Sequence, residues 1–315
     1  MGVQHLRFMA RAEPISRALD AETDPERRRR LELVLATRSF AESSGLKVGG
    51  SYEEISETSD LAVAYVVTAA LQDRLEPYQW SYPIIGRIPY RGYFERSRAD
   101  GFASKLRGQG YDTHVVRAGA YSTLGWFDDP LPSSVLEYDD VAVVDLVLHE
   151  LVHGTVYIPN DIAFNETLAS AVAARLTIRF FELREDRESA RIARKRHEQW
   201  LEQGRLLDAL ADRLDDYFAQ TADSSAADRL QGRQKIYLES LDALESSGLS
   251  RPDPALSTEE RLNRLNNAIF LALWRYRKHS GAIEGYLDRS PDVDTALKSL
   301  PSVVDGRGSP YEAIR

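Results

Sequence analysis

Residues 145–170 have the sequence DLVLHELVHGTVYIPNDIAFNETLAS, in which His149, Glu150 and His153 form an H-E-x-x-H motif. Side chains four positions apart on a helix lie on one face, with their Cβ atoms about 5–6 Å apart. Two imidazoles at that spacing can bind one metal ion, since Zn–N bonds are about 2.0–2.1 Å long. Glu150 lies beside the pair, where its carboxylate can take a proton from a water molecule. The motif therefore predicts a metal centre with two histidine ligands and an adjacent general base.

A third ligand is expected because catalytic zinc ions commonly have three protein ligands and one open position. Glu166 follows His153 by thirteen positions and is the leading candidate. Asn165 can cap the helix that carries Glu166, and the small residues Ala169 and Ser170 lie three and four positions beyond it. Small side chains on that face would let two ligand-bearing helices approach closely. We therefore predict one Zn²⁺ ion bound by the two histidines and Glu166.

The helix expected to carry the motif is apolar on nearly every side. Its apolar residues are Val143, Val144, Val147, Leu148, Leu151 and Val152. A helix of this kind is buried, and buried histidine and glutamate need partners because unpaired polar groups are costly to bury. A bound metal ion supplies such a partner. The alternative, a surface helix with a chance pair of His and Glu, does not account for the apolar context.

The composition is that of a globular protein and excludes several classes. The 315 residues are 43% hydrophobic and 28% charged, and the net charge is −9, so nucleic acid is not an expected partner. The absence of cysteine excludes disulfides, thiol catalysis and cysteine-ligated zinc. No apolar run reaches the ~18 residues of a membrane span. As written, the chain is expected to be cytoplasmic, or in the cell envelope if an N-terminal signal was removed or missed.

Strand-like segments precede the motif, and helices follow it. Residues 62–69 predict a strand, and residues 80–94 predict a strand with a kink. Residues 95–107 predict a helix, and residues 111–130 predict two strands joined by a turn. Strands grouped before helices are typical of the α+β class. We expect a small sheet, an active-site helix and a second helix bearing Glu166.

Patterns elsewhere divide the chain into four parts. Asp24 and Pro25 mark the start of an N-terminal helix. The charged region beyond residue 183 predicts an antiparallel helical hairpin, packed against the core or projecting from it, with a solvated amphipathic arm as the alternative. A further helix is expected from Thr258 through residue 279. The predicted parts are N-terminal helices packed on the core (1–50), the catalytic core (51–183), the hairpin (184–248) and a helical C-terminal part of the core domain (249–315).

A candidate substrate-binding segment lies between strand-like sequence and the motif helix. Residues 119–127 have the sequence GAYSTLGWF. An edge strand at such a place can hold a peptide through main-chain hydrogen bonds, so a peptide substrate is the expected partner. The predicted substrate-binding residues are Tyr121, Ser122, Thr123, Leu124 and Gly125.

Two further groups are needed near the metal. A donor must stabilise the negative oxygen that forms on an attacked carbonyl. Tyr157 is the first candidate because it closely follows His153, with a role as a core aromatic as the alternative, and Tyr276 and His279 are more distant candidates. An exopeptidase also needs an anion to hold the free amine of its substrate. The eligible residues, for which turn formation is the commoner role, are Asp128, Asp129 and Asp161.

Four separated blocks resemble a bacterial family of predicted zinc aminopeptidases of the zincin type. The blocks are WSYPIIGRIPYRGYF (80–94), GAYSTLGWFDDP (119–130), HELVHGTVYIPNDIAFNETLA (149–169) and LNNA (265–268). The resemblance extends from about Arg38 to Leu287. It implies a zincin-like α+β core and peptide-bond hydrolysis. It also implies that His149, His153 and Glu166 are zinc ligands. The catalytic base that it implies is Glu150.

The chain departs from this family in two respects. Similar members often carry a signal sequence and a lipid-anchor cysteine, and neither is recognisable here. The proline-rich block often contains two cysteines, where this chain has Ser81 and Arg87, so a disulfide there is excluded. The metal motif is intact. We therefore expect a zinc-dependent metallopeptidase, by resemblance an aminopeptidase, with a non-catalytic zincin-like module that binds peptides or proteins as the alternative.

Overall fold

Helices make up most of the structure. The computed structural model describes residues 8–58, 64–82, 86–118, 129–249, 255–262, 265–305 and 308–315. In chain order its helices are α1 (Ile15–Ala21), α2 (Pro25–Ser43), α3 (Arg96–Arg107), α4 (Asp140–Thr155), α5 (Ile162–Leu183), α6 (Arg187–Gln220), α7 (Ala226–Ser246), α8 (Thr258–Leu262), α9 (Asn267–Trp274), α10 (Ser280–Arg289), α11 (Val293–Val304) and α12 (Pro310–Ala313). A 3₁₀ helix, Ser133–Glu137, precedes α4. In the described part of the chain, no helix combines the length and the apolar character that crossing a bilayer requires.

The strands are short and form three small sheets. They are β1 (Glu13–Pro14), β2 (Glu54–Ser56), β3 (Ala64–Leu71), β4 (Trp80–Tyr82), β5 (Gly86–Ile88), β6 (Arg91–Tyr93), β7 (Tyr111–Ala118) and β8 (Leu131–Pro132). The sheets have the orders β1-β2-β8, β6-β3-β7 and β4-β5. The prediction of one kinked strand over residues 80–94 is wrong, because Trp80 pairs with Ile88 in an antiparallel hairpin and β6 joins another sheet. The prolines and glycines of this block favour chain reversal over a kink.

The sheet β6-β3-β7 separates a helix from a cavity. Its strands are antiparallel, with Thr68 opposite His114 and Val66 opposite Val116. Side chains alternate between the two faces of a strand. Val67 therefore lies on the other face, where it packs with buried alanines of α3, whereas Thr68 and His114 line the cavity that contains the motif residues.

Helices α4 and α5 both begin at aspartate caps. The side chains of Asp139 and Asp161 accept hydrogen bonds from backbone N–H groups in the first turns of α4 and α5. The prediction that Asn165 caps the second helix is wrong, because the helix begins three residues before it. The Asn165 amide instead accepts a hydrogen bond from the Ile158 N–H at 2.8 Å and donates one to the Ile158 carbonyl at 2.7 Å. Asn165 thus ties the loop between the two helices to α5.

The same two helices lie in the largest apolar cluster. Leu148 of α4 and Phe164 of α5 are fully buried, together with Val34 of α2 and Leu300 of α11. Burial of apolar surface is the main favourable term in folding, so the motif helix is held by the protein's core. The predicted start of α2 is confirmed, because Asp24 accepts a hydrogen bond from a backbone N–H of its first turn and Pro25 is its first residue.

Helices α6 and α7 form a hairpin that packs against the rest of the molecule. Leu207 of α6 shares a second apolar cluster with Tyr237 and Leu241 of α7. Helix α6 also packs along α5. It approaches α10 so closely that a Cβ atom at Gly204 would lie 2.2 Å from Ser280 Oγ. The hairpin is therefore part of the packed structure and does not project from it.

The prediction of one helix from Thr258 through residue 279 is wrong. Helix α8 ends at Leu262, and α9 starts after Asn266, whose side chain accepts a hydrogen bond from a backbone N–H of the first turn. Asparagine side chains compete for backbone N–H groups and so favour helix starts over helix interiors. Helix α9 ends at Trp274, and residues 275–279 form turns before α10. These turns complete the cavity described next.

Candidate metal centre

Three side chains from α4 and α5 meet at one point. Nε2 of His149 lies 3.2 Å from Oε2 of Glu166 and 3.2 Å from Nε2 of His153. The third distance, between His153 Nε2 and Glu166 Oε2, is 3.5 Å. His153 and Glu166 are buried, and His149 is partly buried. Among the residues that the structure describes, this is the one group of three or more such side chains close enough to share a metal ion.

The positions of these side chains follow from local structure. His149 and His153 lie one helical turn apart, and their ring centroids are 4.9 Å apart. Glu166 lies in the second turn of α5, which packs directly against α4. Ala169, on the same face as Glu166, is fully buried and permits this close approach. The Asn165 contacts with the interhelical loop fix the start of α5 and therefore the place of Glu166.

The spacing of the three atoms fits a metal ion. Ligand atoms bound at about 2.0–2.1 Å to a tetrahedral zinc ion are about 3.3 Å from one another, and here the distances are 3.2, 3.2 and 3.5 Å. Two imidazoles and one carboxylate form a known donor set of catalytic zinc. Glu150 lines the same cavity, and its buried Oε2 has no hydrogen-bond partner among the described residues. The residues present therefore fit a zinc ion with a proton acceptor beside it.

The cluster shifts the pKa values of its own members. Burial favours the neutral form of Glu166, but hydrogen bonds to His149 and His153 outweigh burial and lower the pKa of Glu166 well below its usual value. Burial also opposes protonation of His149, but the hydrogen bond to Glu166 and the charge of Glu150 raise the pKa of His149 to about 9. A metal cation can replace the proton of His149, because histidine binds metals in its neutral form.

The three ligands line a cavity of about 450 Å³. This volume lies in the range of about 300–1,000 Å³ that is usual for binding sites of small ligands. One wall is the sheet β6-β3-β7, and another is formed by the end of α9 and the turns after it. The other lining residues are Val66, Thr68, Tyr90, Gly92, His114, Val116, Arg117, Glu150, Ala272, Leu273, Arg275, Tyr276 and Arg277. A larger cavity of about 560 Å³ borders α4, α5 and α6 but is lined by none of the three ligands.

The wall after α9 brings an aromatic side chain close to His149. The ring centroids of Tyr276 and His149 are 6.3 Å apart. The charge of Glu166 and burial raise the pKa of Tyr276 well above its usual value. Its phenol is therefore neutral and able to donate a hydrogen bond near neutral pH. The sequence offered Tyr276 only as a distant candidate, and the fold brings it into the cavity.

Two hydrogen bonds hold this wall against the ligand helix and the hairpin. Thr167 Oγ1, next to the ligand Glu166, donates to the backbone carbonyl of Arg275 at 3.1 Å. Trp200 Nε1 of α6 donates to the carbonyl of Tyr276 at 3.0 Å. Because both bonds go to the backbone, they fix the path of the chain and leave the side chains free to face the cavity.

Two of the cavity residues that sequence reasoning missed are in contact with each other. Arg275 and Tyr90 both line the cavity, and the Arg275 guanidinium lies over the Tyr90 ring at 5.2 Å from its centroid. For Arg275 a signal was available in the run WRYR at 274–277. Two arginines directly after an apolar helix segment are unusual and indicate that a cation has a role there. For Tyr90 no comparable signal exists, since its block also contains four other aromatic residues.

The remaining sequence candidates have varied places. Tyr157 is partly buried, and the charge of Glu166 adds to burial in raising the pKa of Tyr157, but it does not line the cavity. His279 faces Asp208, whose carboxylate accepts a hydrogen bond from the His279 backbone N–H at 3.1 Å. Asp161 serves as the cap of α5, and Asp129 is buried. Outside the described residues lie Asp128 and the predicted substrate-binding residues Tyr121, Ser122, Thr123, Leu124 and Gly125.

Comparisons with known proteins identify a family for this chain. A family model described as "Putative aminopeptidase" matches residues 1–299, nearly the whole of the 315-residue sequence. Neither the curated proteins nor the solved structures contain a significant match. The matched region includes all three members of the ligand cluster and the cavity wall after α9.

Proposed function

The chain belongs to the family described as "Putative aminopeptidase", and from this premise we propose that it is a zinc-dependent metallopeptidase that removes residues from the N-terminus of peptides. The observation that carries the proposal is the triangle of His149, His153 and Glu166 ligand atoms, with distances of 3.2–3.5 Å. The second support is the H-E-x-x-H motif on a buried helix. We also propose that the sheet β6-β3-β7 with α4 and α5 forms a zincin-like core.

In the proposed mechanism, the three ligands hold one zinc ion and Glu150 moves the proton. When bound, zinc acts as a Lewis acid and makes a water molecule more acidic, with a pKa of about 7. Glu150 Oε2 accepts the proton of the water that attacks the scissile carbonyl. The same oxygen then gives the proton to the nitrogen of the departing amine. Its burial without a hydrogen-bond partner among the described residues leaves Oε2 available for this transfer.

A tyrosine is proposed to stabilise the negative oxygen that forms on the carbonyl. Tyr276 is favoured because it lines the cavity and because Glu166 and burial keep its phenol protonated. A donor that is already in place costs no reorganisation during the reaction. Tyr157, the first candidate from the sequence, is kept as the alternative because the charge of Glu166 also raises the pKa of Tyr157.

The substrate's main chain is proposed to run along β7. This strand forms one edge of the sheet β6-β3-β7, and its inward-facing residues His114 and Val116 line the cavity. An edge strand can bind an extended peptide by adding it to the sheet. The predicted substrate-binding residues at 121–125 follow β7 directly in the sequence, so this proposal keeps them in the same role.

The alternative of a non-catalytic binding module has less support. Its main motivation was a charged helical arm available to a partner. The hairpin α6–α7 instead packs along α5 and holds the cavity wall through Trp200. The unpartnered Glu150 carboxylate beside a complete ligand set is what catalysis requires, whereas binding alone does not require it.

The direct test combines metal analysis with peptide cleavage. Purified protein should contain about one zinc ion per chain, and mass spectrometry of a peptide library should show stepwise loss of N-terminal residues. Substitution Glu150→Gln should keep the metal and reduce kcat by about 10²–10⁴-fold, the usual contribution of a general base. The matched control is Glu198→Gln, because Glu198 is exposed on α6. If metal-loaded Glu150→Gln keeps the full kcat, the proposed mechanism is wrong. If the peptide library is cut at internal bonds, the protein is an endopeptidase and not an aminopeptidase.

A further inference from the structure

Arg275 borders both the metal cavity, which contains the three candidate ligands, and a neighbouring cavity, and its guanidinium has no anionic partner among the described residues. The residue is only 8% exposed, yet it lines the metal cavity. Within the described residues, its side chain has no ion pair or hydrogen bond, and its guanidinium lies over the ring of Tyr90 at 5.2 Å from the centroid. Arginine side chains are almost never this deeply buried unless they are paired. The pairing partner of Arg275 is therefore expected to come from outside the chain.

The charges around the cavity indicate the sign of that partner. The acidic residues among its described lining residues are Glu150 and Glu166, and both already have a role in the proposed mechanism. The described part of the cavity thus offers no further carboxylate for the amine of a substrate. It does offer three arginines. Arg117 has a contact of its own, and Arg277 donates to Gln203 at 2.9 Å. Arg275 is the arginine of the described lining whose side chain makes no hydrogen bond or ion pair, and it favours an anionic group.

The position of Arg275 is fixed before any ligand arrives. Its carbonyl accepts the hydrogen bond from Thr167, the residue after the metal ligand Glu166. Its backbone N–H donates to the Leu271 carbonyl at 3.1 Å, and the Tyr90 ring covers one face of its guanidinium. A group held in its binding position loses less entropy when a ligand binds. A guanidinium has five N–H donors in a planar fork, and two parallel donors of that fork match the two oxygens of a carboxylate.

We propose that Arg275 binds a carboxylate of the peptide substrate, so that preferred substrates carry a carboxylate close to the bond that is cut. The proposal rests on the proposed peptidase function and adds a substrate class to it. Two sources supply the same chemistry: the C-terminal carboxylate of a dipeptide, or the side chain of a glutamate or aspartate beside the scissile bond. The cavity of about 450 Å³ suits a short peptide of either kind.

The test uses peptide pairs that differ only in the carboxylate. Alanyl-leucine against alanyl-leucinamide tests the C-terminal source. Glutamyl-leucinamide against glutaminyl-leucinamide, and alanyl-glutamyl amide against alanyl-glutaminyl amide, test the side-chain source on either side of the bond. In at least one pair, kcat/KM of the zinc-loaded wild type should favour the carboxylate member about ten- to a hundredfold, the usual strength of a charge-assisted hydrogen bond. The pair that shows this preference identifies which carboxylate, C-terminal or side-chain, Arg275 binds.

Substitutions at Arg275 should abolish this preference. Arg275→Met should reduce the ratio within the favoured pair to about one, and Arg275→Lys should keep only part of it, because lysine has the charge without the planar fork. The matched control is Lys278→Met, since Lys278 borders a neighbouring cavity and not the metal cavity. Metal content and thermal unfolding, measured on each variant, separate lost recognition from lost folding. An unchanged ratio in both Arg275 variants would overturn the proposal.

Binding to an inactive variant separates this inference from the proposed function. Calorimetry with zinc-loaded Glu150→Gln should show tighter binding of the same carboxylate member, and the double variant with Arg275→Met should lose the difference. If the wild type cleaves nothing but this binding difference is found, the peptidase function fails and the carboxylate site stands. If peptides are cleaved and every pair is treated equally in both cleavage and binding, the carboxylate site fails and the peptidase function stands.

Discussion

The helix pair α4–α5 and the hairpin α6–α7 differ in where their charged residues lie. Most residues of α4 and α5 are apolar, and His149, His153 and Glu166 converge at one buried point. In the hairpin, charged residues cover the outside, and many pair with one another at the surface, as Arg213 does with Glu239. The first pair brings polar groups together at one buried point, whereas the second distributes its charged groups over solvent-exposed faces.

The two regions nevertheless depend on each other. The hairpin supplies no residue to the lining of the metal cavity, but it holds the chain segments that do. Trp200 of α6 binds the Tyr276 carbonyl. Tyr237 of α7 donates to the side chain of Asn267 at 2.8 Å, at the start of α9. The comparison shows that the clustered histidines and glutamate come from one local stretch of sequence, whereas distant segments hold the wall that faces them.

The largest expected effect is a loss of stability when a buried ion pair of the hairpin is broken. Arg233 of α7 donates to Asp112 at 2.6 Å, and both residues are buried. Arg233→Met would leave the Asp112 carboxylate buried without its cation, which typically costs about 3–5 kcal/mol. Urea unfolding should show a loss of that size in the free energy of unfolding.

The control for this substitution lies on α6, opposite α7. Arg213 and Glu239 are 2.7 Å apart, but about half of each side chain is exposed. Arg213→Met should cost less than about 1 kcal/mol, because exposed pairs gain little in water. Equal losses in the two variants would mean that burial does not distinguish the supporting contacts from the surface ones.

The second effect tests the place where the two regions meet. Tyr276→Phe should lower kcat by about 10²–10³-fold, the usual cost of removing one donor to a developing oxyanion. KM and metal content should change little, since Tyr276 is not a metal ligand in the proposal. Steady-state kinetics on Tyr157→Phe provide the comparison. A large loss in Tyr157→Phe with a small loss in Tyr276→Phe would return the donor role to the helix pair.

The smallest expected effect is a change in apparent zinc affinity with pH. The hydrogen bond to Glu166 raises the pKa of His149 to about 9 in the metal-free protein. Metal binding must displace that proton, so apparent zinc affinity should rise about tenfold per pH unit up to pH 9 and level off above it. Titration in metal-buffered solutions between pH 6.5 and 9.5 measures this slope.

Asp145 provides a matched variant for the pH experiment. It lies one turn before His149, and its charge helps to raise the pKa of His149. Asp145→Asn should therefore lower the pH at which the affinity levels off, without removing a ligand. A slope that is already flat between pH 7 and 9 in the wild type would show that His149 is neutral there.

The three side chains that could hold a metal ion were predictable from the sequence because they are local. His149, His153 and Glu166 lie within 18 residues, and helical periodicity fixes two of their positions. Capping rules also predicted the start of α2 at Asp24. The same rules failed at Asn165, because Asp161, four positions earlier, was an equally eligible cap and the Asn165 amide binds the loop instead.

Other features could not be predicted because they depend on competition between distant segments. The block at 80–94 had the composition of a kinked strand, and its pairing as a hairpin depended on which neighbours it met. The break before α9 depended on Asn266, whose cap is favoured while the neighbouring Asn267 binds the Leu71 carbonyl at 2.8 Å. Local propensity is a weak guide where tertiary contacts of this kind decide.

By itself, then, the sequence determined the cluster of two histidines and a glutamate that could hold a metal ion, the neighbouring Glu150 and the apolar helices that carry them, because helical spacing and hydrophobic pattern act within a few turns. Only the tertiary structure decided which groups face these residues. The backbone of Arg275 is held beside the cavity by a hydrogen bond from Thr167, which lies 108 positions earlier in the sequence. Contacts over such distances arise from packing the whole chain, and no local pattern encodes them.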